Sequence, residues 1–136
     1  LLENLINLID TMLTSKGIVI ISLLNGKKVF DLLKKNNGEW KVSPNKYHIE
    51  FTNKQTKYNK FNKYIDINIQ LPFSQNELYT EKLLDIDYII RIFKNHKMIV
   101  RDSRSFIDFD IKDVILNDDD KQYVELYHMI LFQKKN

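Results

Sequence analysis

Apolar residues recur at two spacings in the first half of the chain, and each spacing predicts one kind of secondary structure. Over residues 2–13 they recur every three or four positions, and Gly17 follows, so we predict a helix over about residues 2–15. Over residues 47–51 and 61–71 they alternate with polar residues, which is typical of half-buried strands. Pro72 ends the second of these strands, because proline cannot donate a ladder hydrogen bond.

The dipeptide Asn25-Gly26 separates two apolar segments, which is the strongest short signal for a β-hairpin. The segment before it, residues 18–21, is rich in β-branched side chains and predicts a buried strand. A competing interpretation makes residues 27–35 a short helix with Val29, Leu32 and Leu33 facing inward. We prefer the hairpin, and we expect a further strand over residues 39–43.

The second half of the chain carries two helix-start signals. Ser74 and Glu77 have the spacing of a capping box, and a helical apolar stripe follows, so we predict a long helix over about residues 75–95. A second hairpin is predicted over residues 98–111. Asn117 and the three aspartates after it are typical of a helix N-terminus, which predicts a C-terminal helix with Tyr127 and Leu131 on its apolar face.

These elements predict an α+β fold. We expect a mainly antiparallel sheet of about five to seven strands, an N-terminal helix, a long helix at about 75–95 and a C-terminal helix. At 136 residues the chain fits a single domain spanning 1–136. Because the sequence begins at Leu1 rather than at methionine, we also expect either that this domain is excised from a longer chain or that a few leading residues precede Leu1.

The amino-acid composition excludes several kinds of chemical site. There is no cysteine, which excludes disulfides and thiolate metal sites, and there is no Asn-x-Ser/Thr glycosylation site, so we predict an intracellular location, cytoplasmic or nuclear. The longest apolar run is far short of the ~20 residues that span a bilayer, so no membrane span is predicted. The three glycines all precede residue 39, which leaves no phosphate-cradling loop and predicts no cofactor.

Charge is unevenly distributed along the sequence. Residues 1–70 carry eleven lysines and six acidic residues, a net charge of +5, whereas residues 71–136 have a net charge of −2. A basic first half indicates contact with a polyanion such as nucleic acid, since lysines neutralise phosphates and exposed aromatic rings stack on bases. The candidate polyanion-binding residues are Lys27, Lys28, Lys46, Lys54, Lys57, Tyr58, Lys60 and Lys63.

A weaker catalytic alternative rests on Glu39 and Lys41. The Glu-x-Lys form occurs in metal-dependent nucleases of the PD-(D/E)xK type, where a pair of carboxylates holds Mg²⁺ and the lysine activates water. Asp31, on the strand that the hairpin interpretation places before Glu39, would be the second carboxylate. No histidine has a second histidine or an acid at helical metal-ligand spacing, so outside this alternative no metal site is predicted.

Taken together, the sequence favours a non-enzymatic binding module, a part of or accessory to a larger assembly, whose basic first half contacts a polyanion. One alternative is a protein–protein interaction domain, such as an adaptor, a chaperone-like subunit or an inhibitor. The other is the small metal-dependent nuclease. No catalytic residue is predicted outside the nuclease alternative.

Overall fold

The computed structural model describes residues 2–42, 46–53, 58, 65–71, 74–109 and 112–136. These residues form four α-helices, seven strands and one short 3₁₀ turn. In chain order the elements are α1 (Leu2–Met12), β1 (Ile18–Leu24), α2 (Gly26–Lys35), β2 (Glu39–Val42), β3 (Tyr47–Phe51), β4 (Asp66–Gln70), β5 (Tyr79–Lys82), α3 (Ile86–Asn95), β6 (Met98–Ser105), the 3₁₀ turn (Phe106–Asp108), α4 (Asp118–Val124) and β7 (Tyr127–Lys134).

The strands form two antiparallel sheets. The first sheet has the order β1-β7-β6, and the second has the order β2-β3-β4-β5. The α+β prediction with five to seven mainly antiparallel strands is confirmed, although the strands are divided between two sheets. No helix in the described part of the chain is long and apolar enough to cross a membrane.

Each sheet buries one face against helices. Helices α1 and α3 cover the first sheet, where the Phe93 and Phe132 rings stack with centroids 4.3 Å apart. Helix α2 covers the second sheet, and its apolar stripe packs on the alternating inward residues of β3 and β4. The buried residues of this second core include Val29, Phe30, Leu32, Leu33, Trp40, Ile49, Ile67 and Ile69.

The predicted hairpin at Asn25-Gly26 is wrong, and the competing helix is present. The Asn25 side chain accepts a hydrogen bond from the backbone N–H of Lys28 and therefore caps α2. A Cβ on Gly26 would lie 2.6 Å from the carbonyl oxygen of Leu84, so glycine is needed here for close packing. The helical stripe of Val29, Leu32 and Leu33 overrides the local turn signal because it buries more apolar surface.

The long helix predicted over residues 75–95 is also shorter than expected. The Ser74 hydroxyl donates to the carbonyl oxygens of Leu71 and Glu77, so it closes a turn instead of capping a helix. The chain then pairs with β4 as strand β5, and α3 begins only after Asp85, whose side chain accepts from the N–H of Tyr88.

The predicted C-terminal helix is a single two-turn helix, α4, followed by a strand. Asn117 caps α4 as expected, accepting from the N–H of Asp120, but the helix ends at Val124. After Leu126 the apolar residues alternate, and Ile130 and Phe132 are completely buried between β1 and β6. The predicted strand over residues 106–111 is likewise a 3₁₀ turn in its described part.

Candidate functional site

A row of five aromatic rings connects the two sheets; we call it the aromatic column. Trp40 stacks on Tyr47 with centroids 6.0 Å apart, and Tyr47 stacks on Tyr123 at 4.1 Å. Tyr123 meets Tyr127 edge-on at 5.4 Å, and Tyr127 contacts Phe106 at 5.7 Å. The column therefore runs from β2 and β3 through α4 to β7 and the 3₁₀ turn. Trp40 and Tyr47 are buried, whereas Tyr123 and Tyr127 are partly exposed.

The Asp120 carboxylate contacts one ring of the column and a neighbouring lysine. Its Oδ1 accepts a hydrogen bond from the Tyr47 hydroxyl at 2.7 Å and lies 2.5 Å from the ammonium of Lys46. Hydrogen bonds from Lys46 and Tyr47 lower the pKa of the Asp120 carboxyl. Burial, followed by the hydrogen bond to Asp120, raises the pKa of Tyr47 to about 12. The Tyr47 ring is thus fixed in a neutral, hydrogen-bonded state.

Glu81 is an exposed acidic residue whose charge acts on both partly exposed tyrosines of the column. It lies opposite Ile67 in the β4–β5 ladder, and Ile67 is in the core on which Tyr123 and Tyr127 pack. Burial raises the pKa of both tyrosine hydroxyls, and the Glu81 carboxylate raises the pKa of each further. In such an arrangement the two half-buried rings can stack on an aromatic ligand, and the exposed carboxylate can accept hydrogen bonds from its N–H groups.

Three potential metal ligands meet on the other face of the second sheet. These are Glu39 on β2 and His48 and Glu50 on β3, whose ligand atoms all lie within 4.8 Å of one another. Glu39 and Glu50 are cross-strand partners. In the described ranges, this is the one group of three or more histidine and acidic side chains with such spacing.

The predicted polyanion-binding residues that the structure describes all have partners within the chain. Lys27 lies 2.6 Å from Asp31 and over the Tyr58 ring, and Lys28 donates to the carbonyl oxygen of Glu125 at 3.2 Å. Lys46 pairs with Asp120, as described above. The Tyr58 hydroxyl donates to Asp85 in a short hydrogen bond. Lys54, Lys57, Lys60 and Lys63 lie outside the described residues.

The residues of the nuclease alternative lie on different kinds of element. Asp31 lies in helix α2, not on a strand before Glu39, and it pairs with Lys27. Glu39 and Lys41 lie on the exposed face of β2, where Glu39 contacts His48. The expected strand position of Asp31 is therefore wrong, and the carboxylate that accompanies Glu39 is Glu50.

Sequence reasoning missed the aromatic column, Glu81 and the group around His48. Tyr123 and Tyr127 were assigned to one helix, so their approach to Tyr47 could not be expected. For His48, only helical ligand spacing was considered. A search for cross-strand pairs between the predicted strands over 39–43 and 47–51 would have placed Glu39 near His48 and Glu50.

Two of the three glycines pack closely against the chain itself and do not line an open cradle for a phosphate or nucleotide. A Cβ on Gly17 would lie 2.6 Å from the Leu13 side chain, and Gly26 packs on Leu84. Gly38 has a φ of +94° and faces the ring of Phe51. The space beside Gly17 and Gly26 is thus filled by the chain itself, whereas a Cβ on Gly38 would meet only the Phe51 ring, at 3.6 Å.

The sequence is similar to viral mRNA-capping enzymes. Capping enzymes of three African swine fever virus isolates, from tick, warthog and pig, are each 28% identical to this chain. The similarity covers 97% of this chain and 17% of each viral enzyme, so the chain spans about a sixth of the length of the curated relatives it matches. No protein-family model matches the chain.

The fold is similar to part of known methyltransferases. An S-adenosylmethionine-dependent methyltransferase from Clostridium acetobutylicum superposes with a TM-score of 0.54 at 12% identity, covering 99% of this chain and 51% of that protein. The CcbJ methyltransferase from Streptomyces caelestis superposes with a TM-score of 0.52 at 8% identity, covering 98% and 50%.

These similarities overturn the prediction of a non-enzymatic binding module. The relatives by sequence are capping enzymes, and the fold is similar to about half of each of two methyltransferases. The chain is thus similar to enzymes, and both similarities extend over nearly all of it rather than over one motif.

Proposed function

We propose that this chain is half of a methyltransferase domain in a longer mRNA-capping enzyme, and that it forms the wall of the active site that contacts the capped end of RNA. The observation that carries the proposal is the agreement of two independent comparisons over the whole chain. The sequence matches capping enzymes, and the fold matches half of S-adenosylmethionine-dependent methyltransferases. Methyl transfer to capped RNA is the function that unites the two.

The residues of this chain do not fit the role of holding S-adenosylmethionine. The three glycines are isolated in the sequence, and Gly17 and Gly26 pack closely against the chain itself, so they form no glycine-rich turn for a nucleoside. We therefore assign the cofactor to the other half of the domain. The contribution of this chain is then substrate binding and orientation, which accelerates a transfer by holding the acceptor in place.

The aromatic column and Glu81 are suited to bind the base of an RNA cap. A guanine base presents two neighbouring N–H donors on its Watson–Crick edge, and one carboxylate can accept from both. Glu81 is exposed, and Tyr123 and Tyr127 beside it offer partly exposed rings for stacking. The lysines predicted to bind a polyanion are proposed to contact phosphates of the same RNA.

The open edge of the first sheet supports the assignment to a longer enzyme. Strand β1 is terminal in the order β1-β7-β6, and within the described ranges no strand pairs with its other edge. Its outward side chains Ile18 and Ile20 are 56% and 64% exposed. A long apolar edge strand is a place where further strands add. We assign this edge to the contact with the other half of the domain.

The proposal is tested by binding of RNA to the 136-residue chain. A short fluorescent RNA with a 5′ guanosine cap is compared with the same RNA ending in a 5′ triphosphate, using anisotropy. We expect tighter binding of the capped RNA. Glu81→Gln should weaken the binding of capped RNA by roughly tenfold or more, because hydrogen bonds to a charged group contribute about 1.5–3 kcal/mol.

Glu3→Gln is the matched control, because it removes an exposed carboxylate from α1, which packs on the core of the first sheet and not on the column. It should leave the preference for the cap unchanged. Equal binding of both RNAs by the wild-type chain would contradict the proposed substrate.

Activity is then measured in a chimera in which this chain replaces the matching segment of the viral capping enzyme, with tritiated S-adenosylmethionine as methyl donor.

A further inference from the structure

The polar face of the second sheet carries a cluster that the proposed function does not use. Glu39, His48 and Glu50 lie on two adjacent antiparallel strands, on the opposite face from the core residues Trp40 and Ile49. The alternation along β2 and β3 places all three side chains on one side of the sheet. We call them the Glu-His-Glu cluster.

The ligand atoms of the cluster converge on a small space. The Nε2 atom of His48 lies 2.9 Å from Oε1 of Glu39 and 3.4 Å from Oε2 of Glu50. Four ligands placed tetrahedrally at 2.0–2.1 Å from a zinc ion are about 3.3 Å apart. The two measured distances lie on either side of this value. These two distances suit ligands of one ion, and the ligand atoms of Glu39 and Glu50 lie within 4.8 Å of each other.

The imidazole of His48 does not use these contacts as ordinary hydrogen bonds. Its side chain is only 12% exposed, and its Nε2 atom, shielded from solvent, makes no hydrogen bond of acceptable geometry with any described residue. An ion bound between this nitrogen and the two carboxylate groups would give the shielded Nε2 atom a partner.

A second layer of side chains holds Glu50 in this orientation. The Asn68 amide donates to Oε1 of Glu50 at 3.1 Å, which leaves Oε2 facing His48. The Thr80 hydroxyl in turn donates to Oδ1 of Asn68 at 3.0 Å. Hydrogen-bonded supports of this kind orient the ligands in metal sites. The cluster is thus built across four strands, β2 to β5.

We propose that Glu39, His48 and Glu50 bind a first-row divalent cation of the zinc type. One imidazole and two carboxylates match zinc or manganese better than magnesium or calcium, which prefer all-oxygen sites. Glu39 also lines an open cleft of about 770 Å³ between the end of α2 and β2, so this ligand is accessible from solvent. The ion would pin the edge strand β2 to β3.

The proposal is tested by titrating the full 136-residue chain, first dialysed against EDTA, with zinc chloride at pH 7.5. Calorimetry should show one zinc ion bound per chain, and magnesium at the same concentration should not compete. Saturating zinc should raise the Tm by roughly 5 °C, because the ion binds the folded state and not the unfolded one. A chain with an unchanged Tm and no heat of binding would overturn the site.

Variants separate this site from unspecific zinc binding. His48→Gln should abolish the Tm shift, and Asn68→Ala should weaken zinc binding by roughly tenfold through Glu50. His96→Gln is the control, because His96 lies at the end of α3, beside Asp10 at 3.9 Å. Binding that survives in His48→Gln, or that is lost equally in His96→Gln, contradicts the proposal.

The exposed ligand provides a variant that does not depend on a buried side chain. Glu39→Gln should fold normally, since this side chain is 52% exposed, and should still lose most of the zinc affinity. Nitrogen-15 NMR of the imidazoles gives a direct readout, since only the Nε2 resonance of His48 should shift on zinc addition. A shift of another histidine alone would assign the ion elsewhere. This inference is independent of the proposed methyltransferase function, because its tests contain no RNA.

Discussion

The hydroxyl of Tyr123 lies 3.0 Å from the hydroxyl of Tyr127. The two residues are four positions apart, yet Tyr123 belongs to helix α4 and Tyr127 begins strand β7. Between them Leu126 turns inward and is 2% exposed. The hydroxyl pair therefore fixes the corner at which the helix becomes a strand. At this corner the aromatic column passes from one sheet to the other.

The hydroxyl pair should be energetically coupled. Tyr123→Phe or Tyr127→Phe leaves the remaining half-buried hydroxyl without its partner, which should cost about 1 kcal/mol of unfolding free energy. The double variant should cost less than the two single variants together, because no hydroxyl is then left unpaired. Urea denaturation of the four proteins measures the coupling. Strictly additive losses would show that the two hydroxyls do not interact.

Alkaline pH should destabilise the fold through Tyr47. The pKa of this hydroxyl rises to about 12 in the folded chain, whereas an unfolded tyrosine ionises near pH 10. The folded state thus holds the proton more tightly, so the stabilisation is complete below about pH 10 and is lost as the pH rises through about 12. Denaturation midpoints at pH 9 to 12 measure this loss. The fall should be smaller in Tyr47→Phe, and an identical fall would contradict the assignment to this residue.

Elements with long stretches of regular apolar spacing were predictable from the sequence, whereas elements indicated only by a short local signal were not. Helix α1, strands β3 and β4 and the apolar face of α3 follow from periodicity, because burying those side chains is possible in only one type of element. Asn25-Gly26 and the Ser74/Glu77 pair are local signals that suit more than one structure. Asn25 caps a helix and Ser74 closes a turn, and each choice is decided by packing against residues remote in sequence.

The candidate sites depended even more on remote contacts. The aromatic column unites residues 40, 47, 106, 123 and 127, and nothing in the spacing of these positions indicates that they meet. The Glu-His-Glu cluster was easier to predict from the sequence, because both of its strands were predicted. Only the pairing register, Glu39 opposite Glu50, was missing. The relationship to enzymes came from neither pattern and required comparison with known proteins.

Strand β7 should respond to substitution with the period of a strand. Phe132 is completely buried and stacks on Phe93, whereas its neighbour Leu131 points to the other face and is partly exposed. Phe132→Ala should lower the unfolding free energy by about 3–5 kcal/mol. Leu131→Ala should lower it by much less, and urea denaturation measures both. Equal losses at the two positions would contradict the alternation.

Gly26 should not tolerate a side chain. The added Cβ of Gly26→Ala would lie 2.6 Å from the carbonyl oxygen of Leu84, in backbone that bridges Asn25 to Leu84 and cannot move freely. Overpacking of this kind costs about 1–3 kcal/mol, although alanine is otherwise the better helix former. Thermal unfolding of Gly26→Ala measures the cost. Lys27→Ala, at an exposed position of the same helix turn, is the control, and a Gly26→Ala protein as stable as this control would disprove the steric argument.

The lysines of the basic first half should differ in their contribution to RNA binding. Residues 54–63 contain four lysines and no acidic residue, so their charge is not neutralised within the segment. Lys57→Glu together with Lys60→Glu should weaken RNA binding by roughly tenfold or more, and should reduce the log–log salt slope by at least about 1.4 for single-stranded RNA. A gel shift at low salt, repeated at three salt concentrations, measures both quantities.

Lys27 and Lys46 supply the matched comparison, because each already has a carboxylate partner, Asp31 and Asp120 respectively. A phosphate that binds either lysine must displace this partner, so the net gain in charge neutralisation is smaller. Lys27→Gln with Lys46→Gln should therefore weaken RNA binding less than Lys57→Gln with Lys60→Gln. Equal effects of the two neutral double variants would mean that the ion pairs open freely. An unaltered gel shift in the Lys57/Lys60 variants would remove this segment from the RNA-binding surface and leave the contact to the aromatic column.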